Sequence, residues 1–228
     1  MLVTNLKFDP IVVAKLKELN NTQKGWSLQG LVREEVVNKL LLAQSNLCAY
    51  CECRIYNANM HIEHVVERHD RPELTYNPDN FVLSCEGGRH KVSTSETQLE
   101  RESRVVSISC GHYKTDHNHT SGAIDHNLFI NPREEDLYES VHFVGGVMEA
   151  SHKLTPEQAA RVNYTIDRLN LNSLRLVYAR RYVLESMLRI LHKYSNKSSK
   201  KRFLTMLMKD KEVKTPFYSF IRYNLPNV

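Results

Sequence analysis

The sequence contains no apolar run approaching the roughly 20 residues that a membrane-spanning helix needs. Its first residues, MLVTNLKFDP, show no basic stretch followed by an apolar one, so no secretory leader is expected. There is no G-x-x-x-x-G-K-[ST] loop for a nucleotide, so any ATP dependence has to come from another chain. No internal repeat is visible. These absences argue against a membrane protein, a secreted disulfide scaffold, a nucleotide hydrolase and a solenoid. A cytoplasmic location is expected, where cysteines stay reduced and serve metal binding or catalysis better than disulfides.

The chain has 228 residues, 41% of them hydrophobic and 25% charged, enough to bury a core. The net charge is only +5, but it is unevenly placed. Residues 153–228 hold 16 Lys and Arg against 5 Asp and Glu, whereas residues 1–152 hold 15 against 21. A basic C-terminal third beside an acidic, histidine-rich front suits an enzyme that neutralises phosphates with one part and binds a metal with the other. Solvated helix faces would give the same imbalance.

Three segments follow from the pattern. Residues 1–46 read as helical: Asp9-Pro10 is a cap opening a helix to about Asn21, and Ser27 to Ser45 carries Leu28, Leu31, Val32, Val36, Leu40 and Leu41 at roughly helical period. Residues 47–152 form the middle segment; within it, residues 48–130 hold all five cysteines and eight of the eleven histidines, with β-prone pieces FVLSC and RVVSISC and an insertion at 86–109. Residues 153–228 read as four helices, at 155–170, 173–195, 199–210 and 216–223. The first opens on TPEQ, close to a capping box. Ile166, Leu169, Leu174, Val177, Leu184, Leu188 and Leu191 read as core. Phe217, Tyr218, Phe220 and Tyr223 on the last helix are either core or a docking face for a partner.

Cys48 and Cys51 form a C-x-x-C. No βαβ pattern surrounds it, which disfavours a redox motif. With Cys85 and Cys110 they make four thiolates, a set suited to a closed, tetrahedral zinc. The last two are far apart in sequence, so the insertion must loop out and return. Cys53 is a spare and His90 a competing ligand. Cys85 and Cys110 would otherwise be small buried hydrophobes.

Ten residues after the C-x-x-C comes His61-Ile62-Glu63-His64. A hydrolytic phosphodiesterase needs a base for water, a divalent cation, and a group that holds the base in one tautomer. Histidine suits the base because it is mostly neutral at physiological pH. On a regular strand His61 and Glu63 share one face and His64 takes the other. Glu63 and His64 converge only if the strand ends, bulges or twists there. His61 reads as a supporting or cross-strand partner in preference to a ligand. Downstream stand Asn80 in NPDNFVLSC and His112 in CGHYK. His117, His119 and His126 fall in a polar surface loop, and Asp70–Glu73 reads as a turn.

The ordered set C-x-x-C, Glu-His, Asn, Cys, Cys-x-His-x-Lys resembles the HNH endonucleases. CAYCECRI, HIEHVVER, YNPDNFVLSC, CGHYKTD and TIDRLNLNSLRLVYARR further resemble the PtuB family, the HNH effectors of Septu antiphage defence that also occur beside retron reverse transcriptases. The likeness spans about Cys48 to Arg181, and the LNLN junction at Leu169–Asn172 points to PtuB in particular.

The resemblance implies an α+β fold: a ββα-metal core with a zinc-thiolate knuckle, flanked by helices. It implies His64 as general base, Asn80 as brace of the hairpin loop, and Glu63 with His112 as ligands of a catalytic Mg²⁺ or Mn²⁺. Lys114 would hold a phosphate, and Arg175, Arg180, Arg181, Lys200, Lys201 and Arg202 would grip the nucleic-acid backbone. Gly111 departs from the commonest pattern, in which the final histidine or asparagine directly follows the cysteine. The substrate would be DNA, with tRNA an alternative that the same chemistry serves. The partner would be a PtuA-like ATPase of the ABC/SMC type, and in retron settings a reverse transcriptase with its RNA/DNA. A zinc-stabilised nucleic-acid-binding adaptor without catalysis is the reading from a different class.

Overall fold

The computed structural model describes residue 3 and residues 6–22, 25–88, 108–115, 122–209 and 214–225. His90, His117, His119 and most of the insertion expected at 86–109 lie outside them. The fold is mixed α+β, with seven α-helices and two small antiparallel sheets among the described residues. None of these helices is long and apolar enough to cross a membrane.

Helix α1 (Pro10–Asn21) begins as its sequence predicts: the Asp9 side chain accepts from the Ile11 N–H, and proline occupies the first turn. Helix α2 (Gly30–Ala43) starts three residues after the expected Ser27. It buries Val36, Val37 and Leu40 but leaves Leu31 83% exposed, so its apolar stripe is narrower than the hydrophobic pattern suggested. The buried Gln44 side chain then ties the end of α2 to the first sheet. Its amide donates to the Leu47 and Leu83 carbonyls, and its oxygen accepts from the Leu83 N–H at 2.8 Å.

Strands β1 (Met60–His64) and β2 (Phe81–Cys85) form an antiparallel pair of five register positions, from Met60↔Cys85 to His64↔Phe81. The loop between them carries 3₁₀ turns at Pro72–Leu74 and Pro78–Asn80. Thus the expected turn near Asp70–Glu73 is present. Helix α3 (Cys110–Lys114) follows and packs against β2. The chain leaves β2 and returns to α3 through one neck: the Ser109 N–H donates to the Gly87 carbonyl at 3.0 Å. Gly87 has φ +60°, and a Cβ there would stand 2.1 Å from the Ser109 carbonyl oxygen, so only glycine fits.

Strands β3 (Val141–Val144) and β4 (Val147–Ala150) form a hairpin that the helix-weighted reading of the sequence passed over. Its signal is Gly145-Gly146 between β-branched residues. Both glycines have positive φ, +56° and +93°, as a two-residue hairpin turn requires.

Helices α4 (Pro156–Arg168), α5 (Leu174–His192), α6 (Lys197–Met208) and α7 (Tyr218–Asn224) match the four expected helices within three residues at each end. Thr155 and Gln158 make the full reciprocal capping box. Ile166, Leu169, Val177 and Leu191 are buried as expected, Leu184 is half-buried, and Leu174 and Leu188 are exposed instead. Phe217 and Phe220 are core residues and Tyr218 is half-buried, so of these four aromatic residues Tyr223 alone is exposed. Glu52 fastens α7 to the cysteine turn, accepting from the Ser219 N–H and Oγ.

The LNLN junction between α4 and α5 has a local explanation. Asn170 takes φ +46°, and the Leu171 N–H returns to the Ile166 carbonyl, as in a Schellman end. Leu169 and Leu171 are buried. The Leu169 carbonyl accepts from the Cys110 N–H, and the Asn170 amide donates to the Ile108 carbonyl. The Asn172 amide group makes both its bonds to the Met148 backbone. One four-residue motif therefore positions the start of α3 and strand β4 together.

Candidate functional site

Cys48, Cys51, Cys85 and Cys110 are all buried, and their sulfurs lie within 4.8 Å of one another. Three elements deliver them. Cys48 and Cys51 sit on the turn after α2, held by the Cys48 N–H on the Cys53 carbonyl. Cys85 ends β2, and Cys110, at φ +62°, opens α3. A tetrahedral ion with bonds of about 2.3 Å needs sulfurs about 3.8 Å apart. Cys51 and Cys85 stand at 3.8 Å. The cluster fits a metal such as zinc, and Cys53 stays outside the four. Arg175 is expected on the nucleic acid but is placed here, its guanidinium donating to the Ser109 hydroxyl beside Cys110 at 2.5 Å. Burial lowers its pKa, but the nearby sulfur charges outweigh this and raise it.

Beside the cluster lies a cleft of about 480 Å³ lined by His61, Glu63, His64, Glu67, His69 and His112, among others. Strand alternation holds in it. His61 and Glu63 share a face, with Nε2 and Oε2 3.3 Å apart, and the register shows no bulge. Both Glu63 and His64 still reach the cleft because the strand ends at His64.

Glu63 is not placed as the expected catalytic-metal ligand. It is buried and ion-paired with Lys114. Burial would raise its carboxyl pKa, but Lys114 and His61 more than offset this and hold it at about 2. Lys114 cannot hold a phosphate either. It is fully buried, and its ammonium donates to the His64 and Val65 carbonyls besides pairing with Glu63.

The residues that converge are His61, Glu86 and His112, each offering one donor atom within 4.8 Å of the others. His112 Nε2 is 3.0 Å from Glu86 Oε2, and the two imidazole rings lie 4.2 Å apart. Because the Glu63 carboxylate can only accept, His61 carries its proton on Nε2, which leaves the Nδ1 lone pair free. That Nδ1 is buried without a hydrogen bond, 3.7 Å from Glu86 Oε1. Burial opposes protonation of His61, yet Glu63 and Glu86 raise its pKa. The reading of the sequence kept His61 as a support and passed over Glu86. Both were findable: His61 faces Ser84 across the sheet, and Glu86 lies two residues further along the same face.

His64 stands apart from this cluster. Its ring meets Trp26 edge-on at 4.5 Å and Phe81 at 5.3 Å. Burial pushes its pKa down to about 4, so it is neutral at physiological pH. Nε2 lies 2.9 Å from the Thr75 carbonyl, which can only accept, so Nδ1 holds the lone pair. Asn80 braces the loop that carries Thr75. Its side chain accepts from the Val66 N–H and donates to the Val66 and Leu74 carbonyls.

Gly111 also finds its reason. A Cβ there would lie 2.7 Å from Glu63 Oε2 and 3.0 Å from His61 Nε2, so any larger residue on this turn of α3 has to displace that pair. The expected phosphate-gripping residues divide. Arg181, Lys201 and Arg202 are exposed, and Lys200 is half-exposed. Arg180 is buried, donating to the Gly146 and Leu171 carbonyls, and is a structural residue.

No protein-family model matches the chain, and no curated protein matches its sequence.

Proposed function

We propose that the chain is a divalent-metal-dependent HNH endonuclease that hydrolyses phosphodiester bonds of nucleic acid. The observation that carries this reading is a neutral imidazole, His64, with one nitrogen pinned to Thr75, in the same cleft as the His61–Glu86–His112 donor set. β1, β2 and α3 then form the ββα unit, with zinc on the four cysteines behind it.

His64 Nδ1 takes the proton from water. His61, Glu86 and His112 hold the catalytic cation, which when bound stabilises the charge growing on the phosphate and the leaving oxygen. Two imidazoles and one carboxylate suit Mn²⁺ or another transition ion better than Mg²⁺, which prefers oxygen ligands. Glu63 acts one step back, fixing the tautomer that turns the His61 lone pair toward the cation. Arg181, Lys201 and Arg202 supply backbone contacts with little sequence preference.

The motif resemblance supports an effector role in antiphage defence beside a PtuA-like ATPase, with DNA as substrate. The test is His64→Ala. Cleavage should fall by about 10²-fold or more while fold and zinc content persist; unchanged cleavage overturns the assignment. Parallel digestion of duplex DNA, single strands and tRNA identifies the polymer.

A further inference from the structure

A second group of donors, two of which (Glu67 and His69) line the same cleft, has no part in the chemistry above. We propose that Glu67, His69 and Asp70 form a separate site for a divalent transition-metal cation. Each offers one donor atom within 4.8 Å of the others. A single turn brings them together: the Asp70 and Arg71 N–H groups both donate to the Glu67 carbonyl at 3.1 Å. Their side chains therefore gather although they are two and three residues apart. His69 Nε2 lies 3.3 Å from Glu67 Oε2 and 3.0 Å from Asp70 Oδ1.

An independent observation points to a ligand. Glu67 is only 4% exposed, and its Oε1 is buried without a hydrogen bond. A buried carboxylate oxygen with no donor is costly and calls for an ion or water. Among the described residues no lysine or arginine pairs with Glu67, and Arg71 turns instead to Glu73. His69 and Asp70 sit at the open side, with side chains 60% and 24% exposed. A cation could enter there and keep its remaining waters. Asp70 Oδ2 also faces His126 Nε2 at 3.7 Å, a second imidazole at the rim. Two carboxylates and an imidazole match Mn²⁺, Fe²⁺ or Zn²⁺ better than a soft monovalent ion.

The test counts Mn²⁺ bound by the full chain with its cysteine metal in place, using electron paramagnetic resonance of the free ion and calorimetry. The wild type should bind two Mn²⁺. The Glu67→Gln, Asp70→Asn double variant should lose one, and His61→Ala with His112→Ala should lose the other. Asp70→Asn alone, a change at a partly exposed position, should weaken one site by about tenfold or more and covers the case in which the double variant does not fold. The proposal is overturned if Asp70→Asn binds as the wild type does, or if the wild type binds a single Mn²⁺ that the His61 and His112 changes abolish. The count is independent of whether the chain cuts nucleic acid.

Discussion

Lys114→Met tests the buried pair at the centre of the site. Methionine keeps most of the stem's volume and removes the ammonium, leaving Glu63 buried with His61 as its remaining partner. Glu63 titrates at about 2 in the fold against 4.5 for the ordinary side chain. At about 1.4 kcal/mol per pH unit, that gap is worth about 3 kcal/mol at neutral pH. Breaking a buried ion pair by removing one partner costs about 3–5 kcal/mol by general experience, so the two routes agree. Because the folded carboxyl titrates low, this stability is complete above about pH 4.5 and fades as pH falls toward 2. The wild type should therefore exceed Lys114→Met by about 3 kcal/mol in urea unfolding at pH 7, and the gap should shrink below pH 4.5. Glu63→Gln combined with Lys114→Met should cost less than the two single losses added, because neither charge is then stranded. A Lys114→Met protein within about 0.5 kcal/mol of the wild type, or a gap that widens in acid, would refute the reasoning.

Three further outcomes follow from the same geometry. His64 should titrate near 4 in an NMR pH series; the depressed value means its stabilising contribution is complete above about pH 6.5 and lost as pH falls toward 4, and a midpoint above 6 would contradict the burial argument. Gly111→Ala should cost about 1–3 kcal/mol and weaken Mn²⁺ binding, because its methyl enters the space of Glu63 and His61. Thermal shift and metal titration check this, and wild-type values in both would show that the neighbours move aside at no cost. Cys110→Ser should reduce zinc, measured by mass spectrometry of the metal, and lower the melting temperature sharply; full zinc at an unchanged melting temperature would remove Cys110 from the ligand set.

The helices were legible because caps and period agree: Asp9-Pro10 and Thr155-Pro156 mark starts that the structure keeps. The four cysteines were legible as a set because a C-x-x-C with two further thiols, each after a β-prone run, suits one closed tetrahedral site. The His61–Glu86–His112 grouping was not, because a motif names residue types and leaves open which carboxylate a lysine claims. Lys114 takes Glu63, and this follows only from α3 lying against β2. Arg180 and Arg175 misled for a related reason. Charge counted along a helix does not say which guanidinium the hairpin or the cysteine turn will absorb. Leu174 and Leu188 were assigned to the core by a period that runs longer than the surface α5 actually covers.

The neck at Gly87 and Ser109 has a consequence for construction. A backbone hydrogen bond from Ser109 to Gly87 joins its two sides, so the sulfurs of Cys85 and Cys110 are registered before anything beyond the neck is counted. Loop-closure entropy grows slowly, by about 0.6 kcal/mol for each doubling of length. By that measure the number of residues joining Gly88 to Ile108 changes the cost of bringing Cys85 beside Cys110 only slightly.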